Sequence, residues 1–511
     1  MSYDAPMTSS TTSTSILIAV SCGLLGSSWA TETSSPASPV RPNVLIMLAD
    51  DLGYGDVGCY GATRIKTPHI DRLAADGMRF RDAHAPAATC QPSRYGLLTG
   101  RYLWRRKTGH NGLYFQEGEA TLPAVLKGSG YATACFGKWH LGLGDGSPVV
   151  WEKDIKPGPL EVGFDQFFGT PYSLNEPPFV YMEGHRVMGA NPADPIRIIP
   201  AHQTLLGYGH GISLGGIQAH RARKADQADL AITEAATTYL RKQSPGKPFF
   251  IYLPFVSPHV PLAPSSRFQG TSEAGVYGDY VQQLDFCVGQ VLDTLEERGL
   301  AATTMVVLTS DNGGCINLSA QRLGHRTNGP LLGQKTDGWD GGHRVPFIVR
   351  QPGIVPAGTT SDRLISLTDI MATALAAAGV LLPAGAASDS LDQTPVLRDP
   401  TAPAVRTEMI FQAVRGYALR SGQWTYLPGR GSFGYTAHPT APWQDWRDLG
   451  FVNSDFDAAG QPQLTAPPAQ LYDSSRDPGE AVNLWQEYPE VASKLGARLR
   501  ELLPTEIPLV R

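Results

Sequence analysis

Cysteine is scarce, with 6 in 511 residues, which excludes a disulfide-built scaffold in a chain of this length. A dominant charge of one sign is also missing. Lys and Arg number 42 against 47 Asp and Glu, for a net charge of −5, so the broad basic field on which nucleic-acid binding depends is excluded. No repeat of fixed period is present, and the longest N-terminal apolar stretch, from Ile16 to Leu25, falls short of the roughly 20 residues that span a bilayer. What is plentiful is glycine (55) and proline (41), set against 42% hydrophobic residues. That combination implies many turns and long loops around a sizeable core, and excludes both a helical bundle and a disordered chain. At this length two domains are expected.

The first residues suggest export. A Ser/Thr-rich start, the apolar stretch and a small-residue site at Ser28-Trp29-Ala30 form a signal-peptide pattern over residues 1–30, followed by a Ser/Pro-rich tether over 31–42. No Lys or Arg precedes the apolar stretch, which leaves a disordered leader or a start at Met7 as rival readings. Ala19-Val20-Ser21-Cys22 loosely matches a lipoprotein cleavage site. Export to the periplasm or the extracellular space is the expectation. Cys59, Cys135, Cys287 and Cys315 then allow three pairings or four unpaired buried thiols, the latter being expected.

Short apolar runs alternate with helical patterns, the mark of an α/β fold with a mostly parallel sheet. Strands are expected at 44–49, 133–136, 249–256, 305–309 and 346–350. Helices are expected at 70–76, 94–98, 122–129, 225–243, 278–298 and 369–378. The catalytic domain would cover 43–380 and a Pro/Ala/Asp-rich linker 381–407. A small C-terminal domain over 408–511 would hold a hairpin at 417–427, an antiparallel sheet and a helix at 491–503.

The most informative stretch is Ala88-Thr89-Cys90-Gln91-Pro92-Ser93-Arg94, followed by Gly96-Leu97-Leu98-Thr99-Gly100-Arg101. At average composition a Cys-x-Pro-Ser-Arg match arises by chance in about one chain in a thousand of this length. A lone cysteine would read as a small buried hydrophobe; in this setting it reads as chemistry. Arg94 would point back along one helical turn toward position 90, where its cation favours an anionic nucleophile. Asp50-Asp51 and Asp311-Asn312 close two expected strands, and ligands gather at the carboxyl ends of strands in open α/β sheets. Either pair alone is also a good turn sequence. Four oxygen donors converging on one point favour Ca²⁺ or Mg²⁺ over zinc. In Lys138-Trp139-His140 an extended backbone puts Lys138 and His140 on one face, and His259 directly follows another strand.

These motifs resemble the type I sulfatases, nearly end to end from Arg41 to about Leu503, and look most similar to the arylsulfatase A and N-acetylgalactosamine-6-sulfatase branch, within an alkaline phosphatase-like fold. The resemblance implies that a maturation enzyme oxidises Cys90 to Cα-formylglycine, whose hydrate uses one hydroxyl to attack sulfur and the other to expel sulfate. It implies Ca²⁺ at Asp50, Asp51, Asp311 and Asn312 with residue 90 completing the set, sulfate held by Lys138, His140 and Lys335, and a leaving alcohol protonated by His259. His140 or Asp311 would take protons from the diol. Where the family often carries Glu, this chain has Asp340 in Trp339-Asp340-Gly341-Gly342-His343-Arg344, expected to alter the pocket wall. Trp151, Phe167, Phe168, Tyr172, Phe179, Tyr181, Trp424, Trp443 and Trp446 are candidate stacking surfaces for sugar rings. The implied substrate is a sulfated carbohydrate, with aryl sulfates as artificial substrates. A formylglycine-dependent phosphonate monoester or phosphodiester hydrolase, and a non-catalytic binder of sulfated glycans, are the rivals.

Overall fold

The strand Asn43–Asp50 is buried along its whole length, and its side chains divide strictly by parity. Val44, Ile46 and Leu48 enter one hydrophobic cluster while Leu45, Met47 and Ala49 enter another. A continuous apolar run therefore means a strand covered on both faces, the arrangement a parallel sheet requires. The structure is a computed structural model that describes residues 12–15, 17, 41–106, 112–199, 211–244, 246–436 and 449–509. Apart from residues 12–15 and Leu17, the expected export signal lies outside the described residues, as do Trp443 and Trp446. Among the described residues no helix is long and apolar enough to cross a membrane.

Arg41–Arg511 form one compact unit built on a mixed ten-stranded sheet. Its middle is five parallel strands in the spatial order Thr304–Ser310, Asn43–Asp50, Phe249–Pro258, Ala132–Lys138, Gln166–Thr170. Phe347–Arg350 and Met78–Phe80 extend one side, each antiparallel to its inner neighbour, and Thr359–Ser361 lies parallel at that edge. Helices Ala228–Arg241 and Gly275–Glu297 carry their apolar stripes onto one face. A second, four-stranded antiparallel sheet runs Glu408–Gln412, Tyr417–Ser421, Trp424–Leu427, Gln470–Asp473, and helix Pro489–Leu502 packs on it through Leu495 and Leu499.

The α/β expectation and the five expected strands hold to within two residues at each end. A strand not among the five expected, Gln166–Thr170, also joins the main sheet. Gly169 sits opposite Gly137, and a Cβ on it would meet the Gly137 carbonyl oxygen at 1.8 Å. The glycine that breaks the apolar pattern is what lets the two backbones approach. Cys59, Cys90, Cys135, Cys287 and Cys315 are all free thiols, Cys59 and Cys315 being half-buried.

The stretch between the sheets is tied down by a buried ion pair. Asp369 accepts from Arg406 through both carboxylate oxygens, 2.8 Å from Nε on one side, and also from the amides of Ser366 and Leu391 and from Gln393. Arg406→Ala would strand a fully buried carboxylate, and a loss of about 3–5 kcal/mol in unfolding free energy is expected. Denaturant unfolding measures this; a loss below about 1 kcal/mol, the range of an exposed pair, would show that the pair does not hold the junction.

Candidate active site

The carboxyl ends of the parallel strands deliver the chemistry. Asp50 ends its strand and Asp51 follows it with φ of 65°; Asp311 and Asn312 follow Ser310, and His259 follows Pro258. Lys138 is the last residue of Ala132–Lys138, and His140, also at positive φ, turns back beside it. Helix Cys90–Thr99 begins at Cys90 itself, four residues earlier than its sequence pattern suggests. Residue 90 thus sits at a helix N-terminus, where unpaired amides and the helix dipole favour an anion.

The distances draw these residues together. Cys90 Sγ lies 3.5 Å from Asp50 Oδ1 and 3.4 Å from Lys335 Nζ. Lys138 Nζ donates to Asp50 at 2.7 Å, and Lys335 Nζ lies 2.8 and 2.9 Å from the two oxygens of Asp51. Arg94 does not turn to Cys90 directly: it donates through Nε to Asp311 at 2.9 Å, and its Nη2 forms ion pairs with Asp311 at 2.7 Å and Asp50 at 3.4 Å. Asp50, to which Cys90 also bonds, is the link between them. His259 Nδ1 donates to the Val260 carbonyl at 2.7 Å, which leaves Nε2 facing Asp51 at 3.7 Å.

Burial and charge set the protonation states. Burial raises the Cys90 thiol far above its usual range, with Asp311 adding to the effect, so residue 90 as cysteine is a thiol and not the thiolate a sulfur nucleophile needs. Burial pushes Asp50 up too, but Lys138, His259 and Arg94 outweigh it and hold the carboxyl well below the usual range. Burial and the neighbouring Lys138 press His140 down to about 4. Burial and Lys335 likewise lower His259.

Ligand atoms of Asp50, Asp51, Cys90 and His259 lie within 4.8 Å of one another, so the buried acidic, cysteine and histidine groups here could bind a metal. Asn312 Oδ1 is buried without a hydrogen-bond partner; with Asp50, Asp51 and Asp311 it forms an oxygen-rich set that fits a hard cation.

A cavity of about 430 Å³ opens over Asp51, Cys90, His140, His259 and Lys335. Two of its walls were not legible in the sequence. Ser173 Oγ and His140 Nδ1 are buried there without partners, and Glu176 meets His140 Nε2 at 3.2 Å. Only the placement of Thr170-Pro171-Tyr172-Ser173 at a strand end signals them. Asp340 is not a pocket wall, contrary to the sequence expectation: it starts a buried helix, Asp340–His343, and pairs with Arg344 at 2.6 Å. Trp151, Phe167 and Tyr181 are core residues; Phe179 faces Arg223, and Trp424 packs against Tyr488. The aromatic rings that do line the cavity are Tyr277 and Tyr435.

Comparison with known proteins identifies the family. The Sulfatase family model matches residues 42–380. An N-acetylgalactosamine-6-O-sulfatase of Bacteroides thetaiotaomicron is 34% identical over 501 residues, covering 90% of this chain and 93% of the relative. Arylsulfatase A of Bos taurus is 34% identical over 495 residues, covering 91% and 87%. A solved Bacteroides thetaiotaomicron structure, described under the metabolism of multiple glycosaminoglycans, superposes with a TM-score of 0.78 at 32% identity, covering 90% of this chain and 99% of that one. The chain belongs to the Sulfatase family, with the alkaline phosphatase-like fold, and is a sulfuric ester hydrolase.

Proposed function

We propose that this protein removes sulfate from a sulfated carbohydrate, using residue 90 as Cα-formylglycine beside a Ca²⁺ ion. The observation that carries the reading is the position of residue 90, first in its helix and held between the Lys335 ammonium and the Asp50 carboxylate at 3.4 and 3.5 Å. The hydrated aldehyde supplies an attacking hydroxyl and a second one that releases sulfate. Asp50, Asp51, Asp311 and Asn312 would hold Ca²⁺, which would supply Lewis-acid polarisation of a sulfate oxygen.

The remaining work falls to side chains of the pocket. Lys138 and Lys335 offer ammonium donors to the sulfate oxygens, while His140, with Nε2 on Glu176 at 3.2 Å, presents an unpartnered Nδ1 lone pair that can take a proton from the diol. Arg94 fixes Asp311 and Asp50, so that the cation site keeps its shape. His259, with Nδ1 committed to a carbonyl, can carry its working proton only on Nε2 and delivers it to the leaving oxygen. The relatives' names, one acting on N-acetylgalactosamine 6-sulfate and one on aryl sulfates, favour a galactosamine-type sulfate ester. The same reading makes the chain an exported protein, matured by a formylglycine-generating enzyme.

Leaving-group chemistry tests the His259 role. A lowered imidazole pKa means that the proton is present only at pH below the ordinary 6.5, so turnover of a sugar sulfate should fall as pH rises through that region. His259→Ala is expected to cut sugar-sulfate turnover by about 10²–10⁴-fold while sparing a nitrophenyl sulfate, whose phenolate leaves without a proton. Equal losses on both esters would remove His259 from this role. Turnover of N-acetylgalactosamine 6-sulfate against a phosphonate monoester with a matched leaving group tests the substrate class; preference for the phosphonate would overturn it.

A further inference from the structure

Away from the cavity, a second group of buried side chains brings two imidazoles and a carboxylate together. His84 ends the short strand Ala83–His84, and Asp340 and His343 are the first and last residues of the helix Asp340–His343. The amide of Ala85 donates to the His343 carbonyl at 2.8 Å and that of Val345 to Ala83 at 3.0 Å, which locks the two backbones side by side. All three side chains are fully buried, and one ligand atom from each lies within 4.8 Å of the others.

The imidazoles are short of one hydrogen. His84 Nε2 meets Asp82 Oδ1 at 2.9 Å, His343 Nε2 meets the Gly338 carbonyl at 3.3 Å, and the two Nδ1 atoms meet each other at 3.0 Å. Carboxylate and carbonyl oxygens only accept, so each Nε2 contact needs an N–H, and the Nδ1 contact needs one more. Two neutral imidazoles carry one N–H each. With both protons on Nε2, two lone pairs face one another, and a cation between them resolves the conflict. Asp340 supplies the counter-charge: its Oδ2 pairs with Arg344, while Oδ1 is buried without a hydrogen-bond partner. Around this core stand Asp82 and Glu480, with Arg420 at 3.0 Å from Asp82; Glu480 Oε2 accepts from the Asp340 amide, and its Oε1 has no partner. Burial and the neighbouring Asp340 hold the Glu480 carboxyl well above the usual range, so the charged groups here are the Asp82 and Asp340 carboxylates and the Arg344 and Arg420 guanidiniums, which balance.

We propose that His84 Nδ1, His343 Nδ1 and the Asp340 carboxylate bind a structural zinc-type divalent cation, separate from the catalytic one. Nitrogen-rich ligation selects zinc over calcium or magnesium. Asp82 behind His84 and the Gly338 carbonyl behind His343 are the outer partners that orient metal-bound imidazoles. Nitrogens about 2.0–2.1 Å from zinc stand roughly 3.3 Å apart at a tetrahedral angle, so the rings need to part by a few tenths of an ångström. A shared proton is the competing occupant. Phe411 stacks on His343 with ring centroids 3.7 Å apart and seals the group, so the ion would enter during folding. It would fasten the residues carrying Arg420 and Glu480 to the main sheet.

The test is metal content of the full chain produced in zinc-supplemented medium and dialysed against calcium. Wild type should retain about one equivalent of zinc per chain, and Asp51→Asn, altered only in the catalytic pocket, should retain the same. His343→Val should lose that equivalent. Should His343→Val fail to fold, the wild type refolded with Co²⁺ decides: a visible tetrahedral cobalt spectrum supports the site. Wild type that holds no zinc and gives no such spectrum, or a His343→Val protein with undiminished zinc, overturns the proposal in favour of the proton.

Discussion

Cys90→Ala is expected to lower sulfate-ester turnover by at least about 10⁴-fold, the scale on which loss of a nucleophile is felt when the rest of a site is intact. The fold should survive, because residue 90 is small and its neighbours Asp50 and Lys335 keep other partners in Lys138 and Asp51. The sharper comparison is with wild-type chain made without a maturation enzyme. There Cys90 is a thiol whose ionisation burial opposes, so an unmatured chain should be nearly as inactive as the alanine variant. Mass spectrometry of the tryptic peptide 82–94 reads the state of the residue directly, the aldehyde being lighter than the thiol. Full turnover in a chain whose peptide carries an intact thiol would sink the formylglycine reading and leave sulfur as the nucleophile.

How much of this was legible in the sequence depends on whether a feature is local. The strand Asn43–Asp50 announces itself, since a run buried on both faces must be apolar throughout, and the carboxyl ends of such strands are where ligands collect. Asp50, Asp51, Asp311, Asn312, Lys138 and His259 could therefore be nominated before any fold was seen. Partnerships could not. Arg94 lies one turn from Cys90 in sequence terms, yet its guanidinium is spent on Asp311, 217 positions away. His84 and His343 are 259 positions apart, and nothing in either local sequence marks them as a pair. Glycine misleads in the other direction, because Gly169 disguises a strand that its absence of a side chain makes feasible. Aromatic residues carry the least positional information: Trp151 and Phe167 share their chemistry with Tyr435, yet only Tyr435 lines the cavity.

Calcium removal is the second large effect expected. Chelation should abolish turnover by about 10³-fold or more, since Lewis-acid stabilisation is worth several kcal/mol and each 1.36 kcal/mol is tenfold in rate. It should not unfold the protein. The carboxylates of Asp50, Asp51 and Asp311 are matched one for one by Lys138, Lys335 and Arg94 at 2.7–2.9 Å, so the chain compensates its own buried charge. Lys335→Ala breaks that balance: it strands Asp51, leaving only Asn312 at 2.7 Å and His259 at 3.7 Å. The variant should lose about 10²–10³-fold in rate, as for removal of one preorganised donor, and its stability should depend on calcium more steeply than that of the wild type, which gains only the ordinary increment of a ligand bound by the folded state. Thermal unfolding of both proteins with and without chelator separates the cases. A wild type that unfolds on chelation would show that the lysines do not carry the charge of the site, and a Lys335→Ala protein indifferent to calcium would show that Asp51 does not hold the ion.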